Sequence, residues 1–243
     1  GSLWTEQKPH AAKPVPQKQI SAASLPGNSR DDLLFADNLS FSYRQGQELL
    51  SHLSFHIKQG QHTAIVGASG AGKTTLSELI LGVWPPDEGC FYLKGTAYEH
   101  LTVKDIRENI SAMPQGSVLF AKSIRENFQL FCPEVSEAAI WQALTDAQLA
   151  KVVNAMPQGL DTCLGSDACF LSGGQRNRLL TAIAIARPTP LILLDEPTCG
   201  LDKKTAADLM QALFARVREK GQTLLVITHD EEITKEFAQV IQL

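Results

Sequence analysis

Ala64-Ile65-Val66-Gly67-Ala68-Ser69-Gly70-Ala71-Gly72-Lys73-Thr74-Thr75 decides how this chain folds. Three apolar residues without polar alternation read as a short strand buried on both faces, as in a parallel sheet covered by helices. Gly67 to Thr74 then matches G-x-x-x-x-G-K-[ST]. Gly67, Gly70 and Gly72 let the backbone bend so that successive N–H groups, those of Ala68, Ser69 and Ala71 included, point inward at phosphate oxygens. A helix is expected from Thr74 to Leu81, with Leu76, Leu79 and Ile80 on one face, and its positive end lies at the same place. Lys73 can reach the β- and γ-phosphates of a nucleotide. The Thr74 hydroxyl can ligate Mg2+, and Thr75 is counted with the binding residues.

Such a loop by itself says only that phosphate is bound, and a second acidic element is needed to hold Mg2+. Leu191-Ile192-Leu193-Leu194-Asp195-Glu196 supplies one. A buried strand ending in Asp195 places a carboxylate at the edge where ligands sit in open α/β sheets. Glu196, one step beyond, can polarise an attacking water. Asp195 and Thr74 are the expected metal ligands.

Outward from these anchors, the chain reads as alternating strands and helices. Leu39, Phe41 and Tyr43 alternate with polar residues, as do Leu53, Phe55 and Ile57, so both runs are expected as half-buried antiparallel strands. Gly46 and Gln59-Gly60-Gln61 supply turns. Pro85 to Gly89 is a further expected turn, followed by a strand over Cys90 to Leu93. Thr102-x-x-Asp105 and Ser123-x-x-Glu126 fit the capping box, so each should open a helix. Residues 136–156 read as mostly helical. Ser172 opens a helix toward Arg187, and Thr205 to Lys220 forms another. Leu224 to Ile227 is a second buried strand. The expected fold is α/β: a mostly parallel central sheet, an antiparallel β portion over 34–60, and a helical insertion over about 116–186. Residues 1–30 begin Gly-Ser, carry Pro9, Pro14, Pro16 and Pro26, and read as a tag remnant followed by a polar linker. The folded domain is assigned to 31–243.

Composition narrows the functional classes. Lys plus Arg total 22 and Asp plus Glu 26, a net charge of −4, so no global basic field favours nucleic acid. No run approaches the roughly 18 apolar residues of a membrane-spanning helix. The 5 cysteines are widely spread without a C-x-x-C pair, which reads as reduced thiols rather than a zinc or disulfide framework.

Leu171-Ser172-Gly173-Gly174-Gln175 is the LSGGQ string of the ATP-binding cassette (ABC) family, and the flanking motifs resemble that family's in its order. Tyr43 sits where an aromatic stacks on adenine. Gln115 resembles the Q-loop glutamine, Gly200-Leu201-Asp202 the D-loop, and His229 the switch histidine. The resemblance covers about Leu34 to the C-terminus. It implies a P-loop ATPase using ATP and Mg2+, with Glu196, His229, Lys73 and Gln115 as catalytic residues and Gln115 joining Thr74 and Asp195 as a metal ligand. It also implies a head-to-tail pair with a second ABC domain, identical or not, in which Ser172, Gly173, Gly174, Gln175 and Asp202 help to complete the neighbour's ATP site.

Leu119-Phe120-Ala121-Lys122-Ser123-Ile124-Arg125-Glu126-Asn127 is similar to the run found in exporter-type cassettes. That implies a transmembrane domain fused N-terminally, work at the cytoplasmic face of the cell membrane, and a piece that is itself soluble. The alternative is a non-transport ABC ATPase acting on nucleic acid or the translation machinery, although no nucleic-acid partner is expected. A regulatory module that holds ATP without turnover is disfavoured by Glu196 and His229. The chain departs from the exporter pattern at Ser166, where a Glu is usual, with Asp167 beside it; at Ile183, where an Arg is usual; at Cys199-Gly200 in the D-loop; and in stopping at Leu243, where the family normally continues into a Gly turn and a helix.

Overall fold

The computed structural model describes residues 32–43, 49–165 and 171–243. The expected linker over 1–30, the Gly46 turn, and Ser166, Asp167 and Cys169 lie outside the described residues.

In chain order the strands are β1 (Asp32–Phe41), β2 (Leu50–Lys58), β3 (Thr63–Val66), β4 (Glu88–Leu93), β5 (Thr96–Ala97), β6 (Ile110–Met113), β7 (Leu191–Asp195), β8 (Thr223–Thr228) and β9 (Gln239–Gln242). The α-helices are α1 (Lys73–Ile80), α2 (Val103–Asn109), α3 (Ile124–Phe131), α4 (Glu137–Asp146), α5 (Ala150–Asn154), α6 (Gly173–Ala186), α7 (Lys203–Lys220) and α8 (Glu231–Thr234). Five strands form a parallel sheet in the order β6-β7-β8-β3-β9, and four form an antiparallel sheet in the order β2-β1-β4-β5.

The apolar runs lack alternation because each face of the parallel sheet meets a different core. Leu193, Leu225, Ile227 and Ile65 point to one side, where they pack with Leu76 and Ile80 of α1 and with Leu34 and Phe91 of the antiparallel sheet. Ile192, Leu194, Leu224 and Val226 point to the other, against Leu179 of α6, Leu213 of α7, Phe128 of α3 and Leu144 of α4. At about 25 cal/mol per Å2 of apolar surface removed from water, two such cores dominate the drive to fold.

Four expectations need correction. β1 is not half-buried, for Asp32 to Ala36 and Leu39 to Phe41 are all buried. It runs between β2 and β4, and Phe35 on its outer face stacks on His56 at 4.2 Å and Tyr92 at 5.7 Å. Tyr43 lies past its end. β4 already begins at Glu88, inside the expected turn. The 136–156 helix is broken into α4 and α5, because Gln148 takes a left-handed φ of 57° between them. α7 starts at Lys203, ahead of Thr205, because the Asp202 side chain caps it. β6, β9 and α8 had no counterpart in the sequence reading.

Capping is where local sequence acts most directly. Thr102, Ser123 and Ser172 each accept a hydrogen bond from the N–H three residues on, and the side chain at that third residue returns the bond. A cap of this kind contributes about 1 kcal/mol. Asn127, with 0% exposure, extends the second cap into the loop before it. Its Oδ1 accepts from Phe120 N–H at 2.9 Å, and its Nδ2 donates to Phe120 O at 3.1 Å and Ser123 O at 2.9 Å. The Leu119 to Asn127 run is thus a loop folded around one buried amide. Farther along, Arg216 ties α7 to both α4 and α6, donating to Asp146 Oδ2 at 2.6 Å and Ile185 O at 2.7 Å.

Asn127→Ala leaves the Phe120 amide without its acceptor and empties a fully buried side-chain site, while the Phe120 and Ser123 carbonyls keep the backbone bonds from Lys122 and Asn127 N–H. We expect a stability loss of about 2–4 kcal/mol, read by urea unfolding. A loss below about 0.5 kcal/mol would mean that water replaces the amide at no cost.

Candidate nucleotide-binding site

The parallel sheet delivers four loops to one edge. Val66 pairs with Thr228 and Asp195 with Ile227, so β3, β7 and β8 end at the same level. A cleft of about 1140 Å3 opens there. Its walls include Gly67, Ala68, Ser69, Gly70, Gly72, Lys73, Thr74 and Thr75 from the loop after β3, Gln115 from beyond β6, Asp195 and Glu196 from β7, and His229 from beyond β8. Ligands collect at this carboxyl edge in open α/β sheets.

The glycine loop has the geometry that its sequence demands. Gly72 sits at φ 94°, and a Cβ there would come within 2.8 Å of Leu50 Cδ2, so both conformation and space require glycine. No side chain caps α1 and no acidic residue sits in its first turn. Its opening N–H groups and positive dipole end therefore face the cleft without an internal anion. Lys73 Nζ donates to Gly67 O at 2.7 Å and Ala68 O at 3.0 Å, lying over the loop that a phosphate would fill. Thr74 Oγ1 donates to Gln115 Oε1 at 2.6 Å, which joins two of the expected metal ligands.

Asp195 is 5% exposed, and burial pushes its carboxyl up to about 6. The charge of Glu196 adds to that shift, while the Gln115 N–H and the Lys73 ammonium oppose it. Its Oδ2 is buried without a hydrogen-bond partner. An orphaned carboxylate oxygen beside a threonine hydroxyl and a glutamine carbonyl is an all-oxygen donor set, the kind that suits Mg2+. Protein residues would supply only part of its shell, the remainder coming from phosphate and water.

Glu196 is held under strain. Its φ is 52°, in the left-handed region that a glutamate rarely occupies. Its N–H donates to Ile227 O at 2.8 Å, and its carbonyl accepts from Cys199 N–H at 3.1 Å. Thr228 Oγ1 donates to its Oε2 at 3.3 Å, and His229 Nδ1 lies 2.6 Å from its Oε1. Backbone and side chain alike fix this carboxylate at the cleft wall.

The remaining expected residues sit apart from the cleft wall. Ala71 is within the loop, but its N–H donates to Ala68 O at 3.1 Å. Ser172, Gly173, Gly174 and Gln175 open α6, and Ser172 is exposed with its hydroxyl engaged by Gln175 N–H at 3.2 Å. Asp202 caps α7, and the Thr205 hydroxyl and N–H hold its carboxyl below the usual range. Tyr43 is 56% exposed, with its hydroxyl 3.1 Å from Thr75 Oγ1. Asn177 and Cys199, which sequence reasoning did not assign to the site, also line the cleft. Asn177 Nδ2 donates to Cys199 O at 3.2 Å. Beside that bond, a Cβ on Gly174 would meet Leu201 Cδ2 at 2.7 Å and Gly200 O at 3.0 Å. The signal for Asn177 was its helical offset from Ser172; Cys199 was read only as a D-loop departure.

With loop, buried acid, glutamate and histidine in one cleft, the molecule is a P-loop ATPase domain. Residues 50–199 match the family model described as ABC transporter. The chain is 34% identical over 238 residues to the glutathione/L-cysteine transport system ATP-binding/permease protein CydC of Escherichia coli (strain K12), covering 98% of this chain and 39% of that protein. It is 35% identical over 226 residues to an ATP-dependent lipid A-core flippase of Ralstonia nicotianae, covering 88% and 38%. Among solved structures, that of a bacterial Atm1-family ABC exporter with ATP bound aligns with a TM-score of 0.81 at 31% identity, over 93% of this chain and 40% of the other. The chain belongs to the ABC transporter family and is an exporter-type ATP-binding cassette domain. It spans about two fifths of the length of these relatives.

The buried Asp195 has a signature in pH. Its carboxyl is raised from 3.8 to about 6, so between those values the folded chain keeps a proton that the unfolded chain has lost. Stability is unaffected below that window and falls as pH rises through it. Asp195→Asn removes the penalty. At pH 7.5 the variant without nucleotide should resist urea more than wild type, by on the order of 2–3 kcal/mol, and the gain should vanish near pH 4. Coincident unfolding curves at pH 7.5 would contradict the buried-charge account.

Proposed function

We propose that this chain is the ATP-hydrolysing domain of an exporter, and that two such domains close head to tail around two ATP molecules to drive a substrate across a membrane. The observation that carries the reading is the meeting of Lys73, Thr74, Gln115, Asp195, Glu196 and His229 in one cleft. In this reading the loop from Gly67 to Thr75 wraps the phosphates, with Lys73 leaving the Gly67 and Ala68 carbonyls for the β- and γ-phosphates. Thr74, Gln115 and Asp195 would hold Mg2+, which when bound supplies charge neutralisation on the phosphate oxygens. Glu196 orients and polarises a water for in-line attack on the γ-phosphorus; a P–O bond forms to that water as the bond to the β–γ bridging oxygen breaks. His229 steadies Glu196 through the 2.6 Å contact and reaches toward the γ-phosphate.

Ser172, Gly173, Gly174, Gln175 and Asp202 stand outside their own chain's cleft, which fits service to a neighbour's ATP. The α6 N-terminus offers N–H groups and a positive dipole end to that anion. The division into a domain over 31–243 with a helical subdomain over about 116–186 follows the stretch between β6 and β7, where α3 to α6 lie. Among the described residues no helix is long and apolar enough to cross a membrane. CydC, at whose level this chain covers 39%, carries ATP-binding and permease in one name. The name fits a membrane-spanning portion in the same chain; the exporter-type reading puts it N-terminal to this domain and the domain itself at the cytoplasmic face.

Glu196→Gln should keep magnesium-ATP binding and lose turnover by about 100-fold or more, measured as phosphate release. Wild-type release from that variant removes Glu196 from the role. In the same background, Ser172→Cys on one copy and Ser69→Cys on another should cross-link only when magnesium-ATP is present. A complete absence of that cross-link counts against the head-to-tail pair.

A further inference from the structure

Tyr43 raises a physical problem. A side chain expected to stack on a base is 56% exposed, and a freely turning ring would lose its rotamer freedom on every binding event. The structure gives it a holder. Tyr43 O–H donates to Glu78 Oε2 at 3.0 Å, and the indole N–H of Trp84 donates to the same oxygen at 3.1 Å. With the phenol proton spent on Glu78, the Thr75 hydroxyl donates to the phenol oxygen at 3.1 Å. Burial raises the phenol above its ordinary acidity range and Glu78 adds to the shift, so the O–H stays a donor. The ring also packs perpendicular to Phe41, at 5.0 Å and 88°, and to Trp84, at 6.4 Å and 88°. Such T-shaped contacts restrain a ring, and at 56% exposure Tyr43 still presents surface to a base.

Thr75 and Glu78 are three residues apart on α1 and so share one face of it. The same helix begins at Lys73 and Thr74, at the phosphate end of the cleft. One short helix therefore carries both the phosphate contacts and the mount for the aromatic ring, which sets their separation.

We propose that Glu78 is a positioning residue for nucleobase recognition: one carboxylate oxygen gathers the Tyr43 hydroxyl and the Trp84 indole N–H, and so presets the Tyr43 ring for stacking at a fixed distance from the phosphate loop. The proposal rests on the reading of Tyr43 as the base-stacking residue. It predicts discrimination between a nucleotide and a bare polyphosphate, because only the former meets the ring.

The test is calorimetric titration of the 243-residue chain with magnesium-ATP and, separately, with magnesium tripolyphosphate. Glu78→Leu should weaken ATP roughly 3- to 10-fold, the loss expected when one preset side chain must be ordered on binding, while tripolyphosphate changes by less than about twofold. Tyr43→Phe deletes the same bond from the other side and should give the same selective loss, with little further loss in the double variant. Glu78→Gln keeps an acceptor oxygen and should recover most of the affinity. If Glu78→Leu does not fold, Tyr43→Phe and Glu78→Gln decide the matter alone. Equal weakening of ATP and tripolyphosphate would overturn the proposal, since it would show damage to α1 as a whole. Unchanged ATP affinity in Glu78→Leu and Tyr43→Phe, with a selective loss in Tyr43→Ala, would also overturn it while keeping the base-stacking reading. An unchanged ratio in Tyr43→Ala would remove that reading, and the proposal with it.

Discussion

β8 is hydrogen-bonded to β3 on one side and to β7 on the other, and that shared register places the glycine loop, the acidic pair and His229 in the cleft. Val66, Asp195 and Thr228 end their strands at one level, so the glycine loop, the acidic pair and His229 emerge together. A slip of one residue would exchange the two faces of any of these strands. Leu194 and Val226 would then leave one core while Leu193 and Leu225 left the other. Because both faces are fully buried, that slip has no tolerable partner on either side. The chemistry of the edge is thus secured by apolar packing well behind it.

Against this rigid background, the cleft holds groups at odds with their surroundings. Asp195 is buried with an oxygen that no protein group satisfies. Glu196 occupies a backbone region that its side chain disfavours. Lys73 turns back on the carbonyls of its own loop. In the proposed reading a bound magnesium nucleotide would relieve two of the three, bringing a cation to the acid and phosphate oxygens to the lysine. The fold supports these local conflicts because its two apolar cores are large.

Legibility in the sequence tracked how local the cause was. The glycine loop and the boxes at Thr102, Ser123 and Ser172 are settled within a few residues, and each took the form that its spacing dictated. The buried strands β7 and β8 were visible from uninterrupted apolar runs. β6 and β9, at four residues each, owe their pairing to β7 and β3 and carry little periodicity of their own. The break at Gln148 and the strain at Glu196 come from tertiary packing and have no compositional mark. At the site, Lys73, Thr74, Gln115, Asp195, Glu196 and His229 were named from motif spacing and do meet in the cleft. The Tyr43 mount escaped notice because Glu78 and Trp84 belong to no motif, and only the third dimension brings them to one oxygen.

The close seat of Gly174 on Gly200 and Leu201 has a mechanical consequence. A helix start without a side chain nests against a turn without a side chain, and the Asn177 amide latches the two. At the head of that turn the Cys199 N–H donates to the Glu196 carbonyl at 3.1 Å. The opening of α6 and the glutamate are therefore joined within a single subunit by one short chain of contacts, Gly174 seated on Gly200, Asn177 on Cys199 and Cys199 on Glu196.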